Sequence, residues 1–482
     1  MSSHRFAVDE DEQWAARSTD ASLRRKVQNR LNQRALLPQD LASDHNRRRR
    51  VELRSRPLLP RGAAQEQPSS DRPSEGRNSL TPPRQINALQ LLSPSLEDYH
   101  TRKNFFLAYT IQWPKYNVPG GEFSPASFFH LCIRDPLLLH TVVNGIAIYR
   151  LSTSQYYSED LQTFWNTQNQ VSCGVRAALA AGVVSDAVLN AVRVLGTRIT
   201  VAPPGGVVTR GYFSSVGIES VGGLELEGLL DFADDHYLVL AQLVEARGGL
   251  IKVQLPGIAE KINRVDVLRA SLRNEQPLFD LPRSAIHVLQ QELESHRFLI
   301  DGADAFHFVE QEFKAILMDL RHCCVLIEAH LERTRSGLPS SLGSLGHCRD
   351  IVQNRLLSLP PSRGAVEIAR LAALAFTYGV TYPLPRPSVN RRTCTFLLRA
   401  LAEAECSPEL HDDEFLLWAA MIGALGLGAA EGTSGFVRYL RCIAERLGLM
   451  LWEDVKIICE KFIWLGPACN DGAALIWAQV TF

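Results

Sequence analysis

The sequence predicts an all-α protein, and three observations carry that. Apolar residues recur at helical spacing over long runs, strand-like alternation is scarce, and 46% of the 482 residues are hydrophobic, enough to bury a large core. Leu230, Ala233, Tyr237, Leu240, Ala241 and Val244 form the first clear stripe, with Gly248 and Gly249 as its stop. Val309, Phe313, Ile316, Leu317, Leu320, Cys324, Ile327 and Leu331 form a longer one. Residues 366–378, 392–405, 414–427 and 452–465 complete the set, the last with Glu453 and Asp454 in its first turn, where acidic side chains favour the positive helix end. Alternation is confined to short pieces at 248–255 and 198–202. A helical body from residue 86 to 482, in one or two lobes, follows from this texture.

Residues 1–85 have a different composition. A polar, acidic tail (1–21) precedes a basic stretch (22–56), and a Pro/Ser-rich linker (57–85) containing Thr81-Pro82-Pro83 follows; the tail and linker cannot build a core. The net charge of −1 hides this asymmetry: residues 1–62 hold 14 Lys+Arg against 8 Asp+Glu, a net of +6, which leaves −7 for the rest. A basic arm on an acidic body suits nucleic-acid contact by the arm and protein contacts by the body. Asp9 to Glu12 are acidic where a secretory signal needs an apolar run. The longest apolar stretch, 415–430, holds three glycines and falls short of the ~20 residues a spanning helix needs, so a buried helix is expected and no membrane partner. The ten cysteines show no CxxC pair, which fits buried free thiols.

On a helix over 23–36, Asn29 and Gln33 share one face. Their amides match the donor–acceptor pattern of an adenine edge in the major groove. Arg24, Arg25, Lys26, Arg30 and Arg34 surround that face at spacings suited to phosphates. The run Asn29-Arg30-x-x-Gln33-Arg34-Ala35 resembles the basic region of fungal bZIP proteins, and the resemblance implies that these seven polar residues contact DNA. The pattern is interrupted: Pro38 ends the helix near Leu36 or Leu37. Excising 37–46 would join Leu36 to Arg47 and restore the basic run, so this segment has the form of an insertion. Arg47, Arg48, Arg49 and Arg50, with Arg24-Arg25-Lys26 upstream, form a bipartite pattern suited to nuclear import and phosphate contact. No heptad zipper follows, because Pro57 and Pro60 break the chain.

A second resemblance covers most of 86–482. Its phrases are Leu243-Val-Glu-Ala-Arg247-Gly-Gly-Leu250, then Asp266 with Pro277-Leu-Phe279, and Arg355-Leu-Leu-Ser-Leu-Pro360. Next come Glu367-Ile-Ala-Arg370 through Tyr382-Pro-Leu-Pro385, and Phe415-Leu-Leu-Trp418 with Ile422-Gly423. Trp452-Glu-Asp-Val-Lys456, Phe462-Ile-Trp464-Leu465 and Leu475-Ile-Trp477 close the series. In this order they resemble the helical regulatory domain of fungal-specific transcription factors. The zinc cluster usual in that family is missing, since no cysteine precedes Cys132.

The two resemblances together imply a nuclear, sequence-specific DNA-binding transcription regulator of a filamentous fungus. It would act through DNA and the transcription machinery, as a homodimer or heterodimer through the helical domain, with no cofactor, no metal and no enzymatic activity. The alternative is an interaction-only regulator in which the interruption and the missing zipper have removed DNA binding.

Other features have plain structural explanations. His322-Cys323-Cys324 and His347-Cys348 are expected to be buried thiols, because adjacent cysteines on a helix point apart. Gly426-Leu-Gly428 through Gly432 lacks the spacing of a dinucleotide loop and fits close helix packing. His411-Asp412-Asp413 fits a helix cap. Trp418, Trp452, Trp464 and Trp477 lie at apolar helical positions and are expected to be core or interdomain aromatics. No GxSxG, phosphate-binding loop or zinc-protease motif occurs in the chain.

Overall fold

A computed structural model describes residues 134–153, 158–198, 211–219, 221–281, 303–337, 343–405, 412–428 and 433–480, with Phe128, Leu131 and Cys132 before them. The chain divides into two units, Met1–Tyr99 and His100–Phe482, and every described residue belongs to the second. That unit is all-α, as its apolar periodicity demands.

The first layer begins with α1 (Pro136–Thr153) and α2 (Ser158–Ala180), which pack along their lengths. Buried Asn144 fastens them, donating to the Phe164 carbonyl at 3.1 Å and the Thr167 hydroxyl at 3.0 Å. Ala147, Ile148, Leu151, Phe164 and Val194 close the apolar seam. Helix α3 (Asp186–Leu195) is capped by Ser185, whose hydroxyl accepts from Val188 N–H at 3.3 Å, and all its residues are buried. A short antiparallel pair follows, β1 (Thr197–Arg198) with β2 (Asp231–Phe232), in the register Thr197 with Phe232 and Arg198 with Asp231. Helix α4 (Asp234–Ala246) packs on α3, and α5 (Ile258–Arg273) ends on Asn274 in the left-handed conformation, φ 57°.

The second layer holds α6 (Gln311–Arg335), α7 (Gly343–Ser358), α8 (Gly364–Gly379), α9 (Pro387–Glu405), α10 (Asp413–Leu427), α11 (Thr433–Leu447), α12 (Trp452–Lys461) and α13 (Gly466–Val480). The core centres on α8 and α10. Every residue of α10 from Phe415 to Leu427 is buried, among α8, α9, α11, α12 and α13. A helix apolar on all sides needs such a sheath. Among the described residues no helix is long and apolar enough to cross a membrane.

Three sequence expectations are corrected. The alternation at 248–255 forms no strand: Leu250–Lys252 is a single 3₁₀ turn. Gly248 and Gly249, at φ 93° and 90°, curl the chain, and the Gln254 and Leu255 N–H groups donate to Asp186 Oδ2 at 2.7 and 2.8 Å. The helix expected at 452–465 stops at Lys461, because Phe462 turns extended and 462–465 run into the core. Leu230 and Ala233 precede α4, flanking β2. For the alternation at 198–202, only Arg198 falls on described chain, in β1.

Candidate functional site

The predicted DNA-contacting residues Arg24, Arg25, Lys26, Asn29, Arg30, Gln33 and Arg34, and the import residues Arg47, Arg48, Arg49 and Arg50, lie outside the described residues. The described chemistry is that of the helical body.

Several phrases singled out in the sequence are joined there by direct contacts. Asp266, fully buried on α5, accepts from Leu278 N–H at 2.5 Å, Phe279 N–H at 3.0 Å and Arg269 at 3.1 Å. This one carboxylate thus ties α5 to the Pro277-Leu-Phe279 turn. Its burial raises its pKa, and Arg269 with the two backbone donors opposes that rise. Arg247 pairs with Asp186 at 2.6 Å, anchoring the end of α4 to α3. Glu367 accepts from Ser362 N–H at 2.9 Å and from Arg370 at 2.6 Å, fixing the entry to α8. Trp418 donates its indole N–H to the Ile463 carbonyl at 2.8 Å and stacks on Phe462, ring centroids 5.4 Å apart. Trp464 and Trp477 are also buried, in the core, while Trp452 at the start of α12 is half-buried.

A buried ionic cluster lies where α5, α7 and the single turn at Leu224–Glu227 meet. Arg264 pairs with Glu227 at 2.9 Å and with Asp350 at 3.7 Å. Arg349, fully buried on α7, donates to the carbonyls of Ile218, at 3.3 Å, and Val221, and lies over the Tyr382 ring with its guanidinium carbon 5.7 Å from the centroid. Burial pushes the Asp350 carboxyl up against the pull of Arg264 and Arg349, and pushes the Tyr382 phenol well above its usual range. Half-buried Lys261 is lowered to about 7, by desolvation first and the Arg193 charge second, with Glu227 opposing. The cluster is an electrostatic clamp: it spends its charges on backbone carbonyls and on carboxylates from other elements. Sequence reasoning missed it, and the only signal was the adjacent opposite charges of Arg349 and Asp350 in the middle of a helix.

Among the described residues the cysteines are mostly buried free thiols, as expected. Cys132, Cys323, Cys324, Cys348, Cys394, Cys459 and Cys469 are buried, and Cys173 and Cys442 are exposed. Burial raises the Cys323 and Cys324 thiols far above their usual range and pushes Cys469 up to about 12. Such groups stay protonated near neutrality, the opposite of what a nucleophile or a metal ligand needs. Among the described residues no group of three His, Cys, Asp or Glu could hold a metal ion. The glycines at the end of α10 serve packing. A Cβ on Gly426 would meet Cys394 Sγ at 2.6 Å, and one on Gly428, φ 63°, would meet Gly211 Cα at 2.6 Å. Asp412 caps α10, accepting from Phe415 N–H at 3.0 Å, and Asp413 pairs with Arg446 at 2.6 Å.

No protein-family model, curated protein or solved structure matches this chain.

Proposed function

We propose that the chain is a nuclear, sequence-specific DNA-binding transcription regulator. Its basic segment, 22–56, contacts DNA, and its helical body dimerises and engages the transcription machinery. The observation that carries this is the placement of Asn29, Arg30, Gln33, Arg34 and Ala35 at the spacing of a base-reading helix. Asn and Gln four residues apart can each make paired hydrogen bonds to an adenine edge, while the flanking cations hold the helix on the phosphates. The body supports it in a second way: its buried ionisable groups lock elements to one another, as a scaffold requires. The regulator needs no cofactor, and Arg47 to Arg50 with Arg24-Arg25-Lys26 serve its import.

An interaction-only regulator is the second reading, favoured by Pro38 inside the basic run and by the absence of heptads behind it.

Selection of bound duplexes from a randomised pool, followed by anisotropy on the selected and on random duplexes, separates the two. Asn29→Ala should cost ~1–3 kcal/mol on the selected site and little on random DNA. Arg25→Ala should weaken both and lower the salt slope by about one unit. Equal losses on both duplexes for both variants would remove base readout and leave the interaction-only reading.

A further inference from the structure

Residues 211–223 belong to the connection between β1 and β2, which lie side by side in the first layer. The chain therefore leaves that layer and returns to it, and on the way it lies across α8, α10 and α13. Gly211 to Gly217 form neither helix nor strand there. The Tyr212 N–H donates to the Leu425 carbonyl at 2.7 Å, and the Ser214 N–H to the Ala468 carbonyl at 2.8 Å. Leu425 is in the last turn of α10, where a carbonyl has no acceptor role inside its own helix.

Glycines from three elements make the seat. A Cβ on Gly428 would lie 2.6 Å from Gly211 Cα, and one on Gly472 of α13 would lie 2.8 Å from Tyr212 Cβ. A Cβ on Gly379 of α8 would lie 2.8 Å from Phe213 Cγ. Phe213 is only 6% exposed and meets Phe376 edge-on, ring centroids 6.4 Å apart. The groove so formed fits a peptide main chain and one aromatic side chain, and uses no charge to hold them.

The anchor beyond the seat is costly. Arg349 donates to the Ile218 and Val221 carbonyls, yet its Nε has no hydrogen-bond partner among the described residues. Asp350 Oδ1, 4.0 Å away, and the Tyr382 hydroxyl have none either. All three residues are more than nine-tenths buried. Unpaired buried polar groups raise the free energy of the closed arrangement, and lifting 211–223 away would return them to water. The segment thus combines few main-chain bonds with an anchor that gains from release.

We propose that residues 211–223 are a releasable strap, closed over a groove that takes an uncharged, non-helical peptide of a partner protein. The strap itself displays the chemistry of that occupant. The partner peptide places one aromatic side chain where Phe213 sits, and its N–H groups replace those of Tyr212 and Ser214 on the Leu425 and Ala468 carbonyls. The groove belongs to the helical body and works independently of the DNA contacts proposed above.

Native-state hydrogen exchange of the full chain tests the strap without any substitution. The Tyr212 and Ser214 amides should exchange about tenfold or more faster than the amides of α10, through an opening that leaves α10 protected. Exchange of these two amides only together with α10 would make the segment part of the core and overturn the proposal. Fluorescence anisotropy tests the groove, with a labelled peptide of the sequence 210–217 as the probe and circular dichroism as the check on folding. The probe should bind the Phe213→Ala chain about tenfold more tightly than the wild type, because a loosened strap leaves the groove open more of the time. A probe with alanine in place of its phenylalanine should bind neither chain. Equal binding of the first probe to both chains, or no loss with the alanine probe, would also overturn the proposal. If Phe213→Ala does not fold, the exchange pattern of the wild type decides alone.

Discussion

Lys261 lies in an environment that works against its charge. Desolvation and the neighbouring Arg193 bring it to about 7, from an ordinary value of 10.5. Between about 7 and 10.5 the unfolded lysine holds a proton that the folded one has released. The unfolded state then binds more protons, so stability rises with pH across that window and the gain is absent below it. The buried thiols act in the opposite direction above pH 9, because their folded values are raised, but they are common to wild type and variant. Melting temperatures of wild type and Lys261→Met at pH 7 and pH 8.5 isolate the lysine. The wild type should gain on the variant as pH rises, and a constant difference would show that Lys261 titrates normally. At this scale the local chemistry was legible in the sequence: Asp412 caps and Glu453-Asp454 occupy a first turn because both depend on neighbours a few residues away. The clamp was not. Arg264 reaches Glu227 37 residues back and Arg349 reaches Ile218 131 residues back, and no spacing rule links residues so far apart.

At the scale of elements, glycines divide those that fill space from those that leave it. Gly145 in α1 has nothing within 4 Å of a Cβ, so Gly145→Ala keeps only the gain in helix propensity, about 0.5–1 kcal/mol. Gly423 in α10 would set a Cβ 2.3 Å from the Phe436 ring of α11 and 3.1 Å from Leu397 of α9. Gly423→Ala should cost about 1–3 kcal/mol despite the same propensity gain, because an aromatic ring in a closed core cannot step aside. Urea unfolding of the two variants checks both signs; stabilisation by each would mean that α10 and α11 are loosely packed. The positions of α4, α6, α8, α9, α10 and α12 were legible because burial on one face leaves a 3.6-residue period, whereas α1, α2, α3, α5, α7, α11 and α13 were not located. The 3₁₀ turn at Leu250–Lys252 was not, since alternation says nothing about whether a strand partner exists, and here Asp186 takes the backbone donors. The end of α12 at Lys461 was hidden for a related reason: Phe462, Ile463, Trp464 and Leu465 are buried in extended chain as readily as in helix.

For the whole molecule, the body is expected to fold and self-associate without the arm. Its core is closed around α8 and α10, from residues belonging to the unit His100–Phe482. Removing residues 1–85 should leave helical content and oligomeric state nearly unchanged while abolishing DNA binding and nuclear accumulation. Circular dichroism and sedimentation of the truncated chain measure the first pair, and anisotropy and imaging of a fluorescent fusion the second. A monomeric body from a dimeric parent would assign the association to the arm. A body that still enters the nucleus would remove Arg47 to Arg50 from import.

The sequence by itself determined the helical class, the positions of α4, α6, α8, α9, α10 and α12 and the buried character of α10, because these follow from hydrophobic period and composition. The proposed DNA-contact pattern at residues 24–34 likewise rests on the sequence alone, on side-chain types and their spacing. Only the tertiary structure decided which distant charges meet, which glycines admit no side chain, and that Leu238 and Val239 of α4 stay exposed. Those outcomes depend on which elements pack together, and packing is set by the sum of many weak contacts that no short stretch of chain encodes.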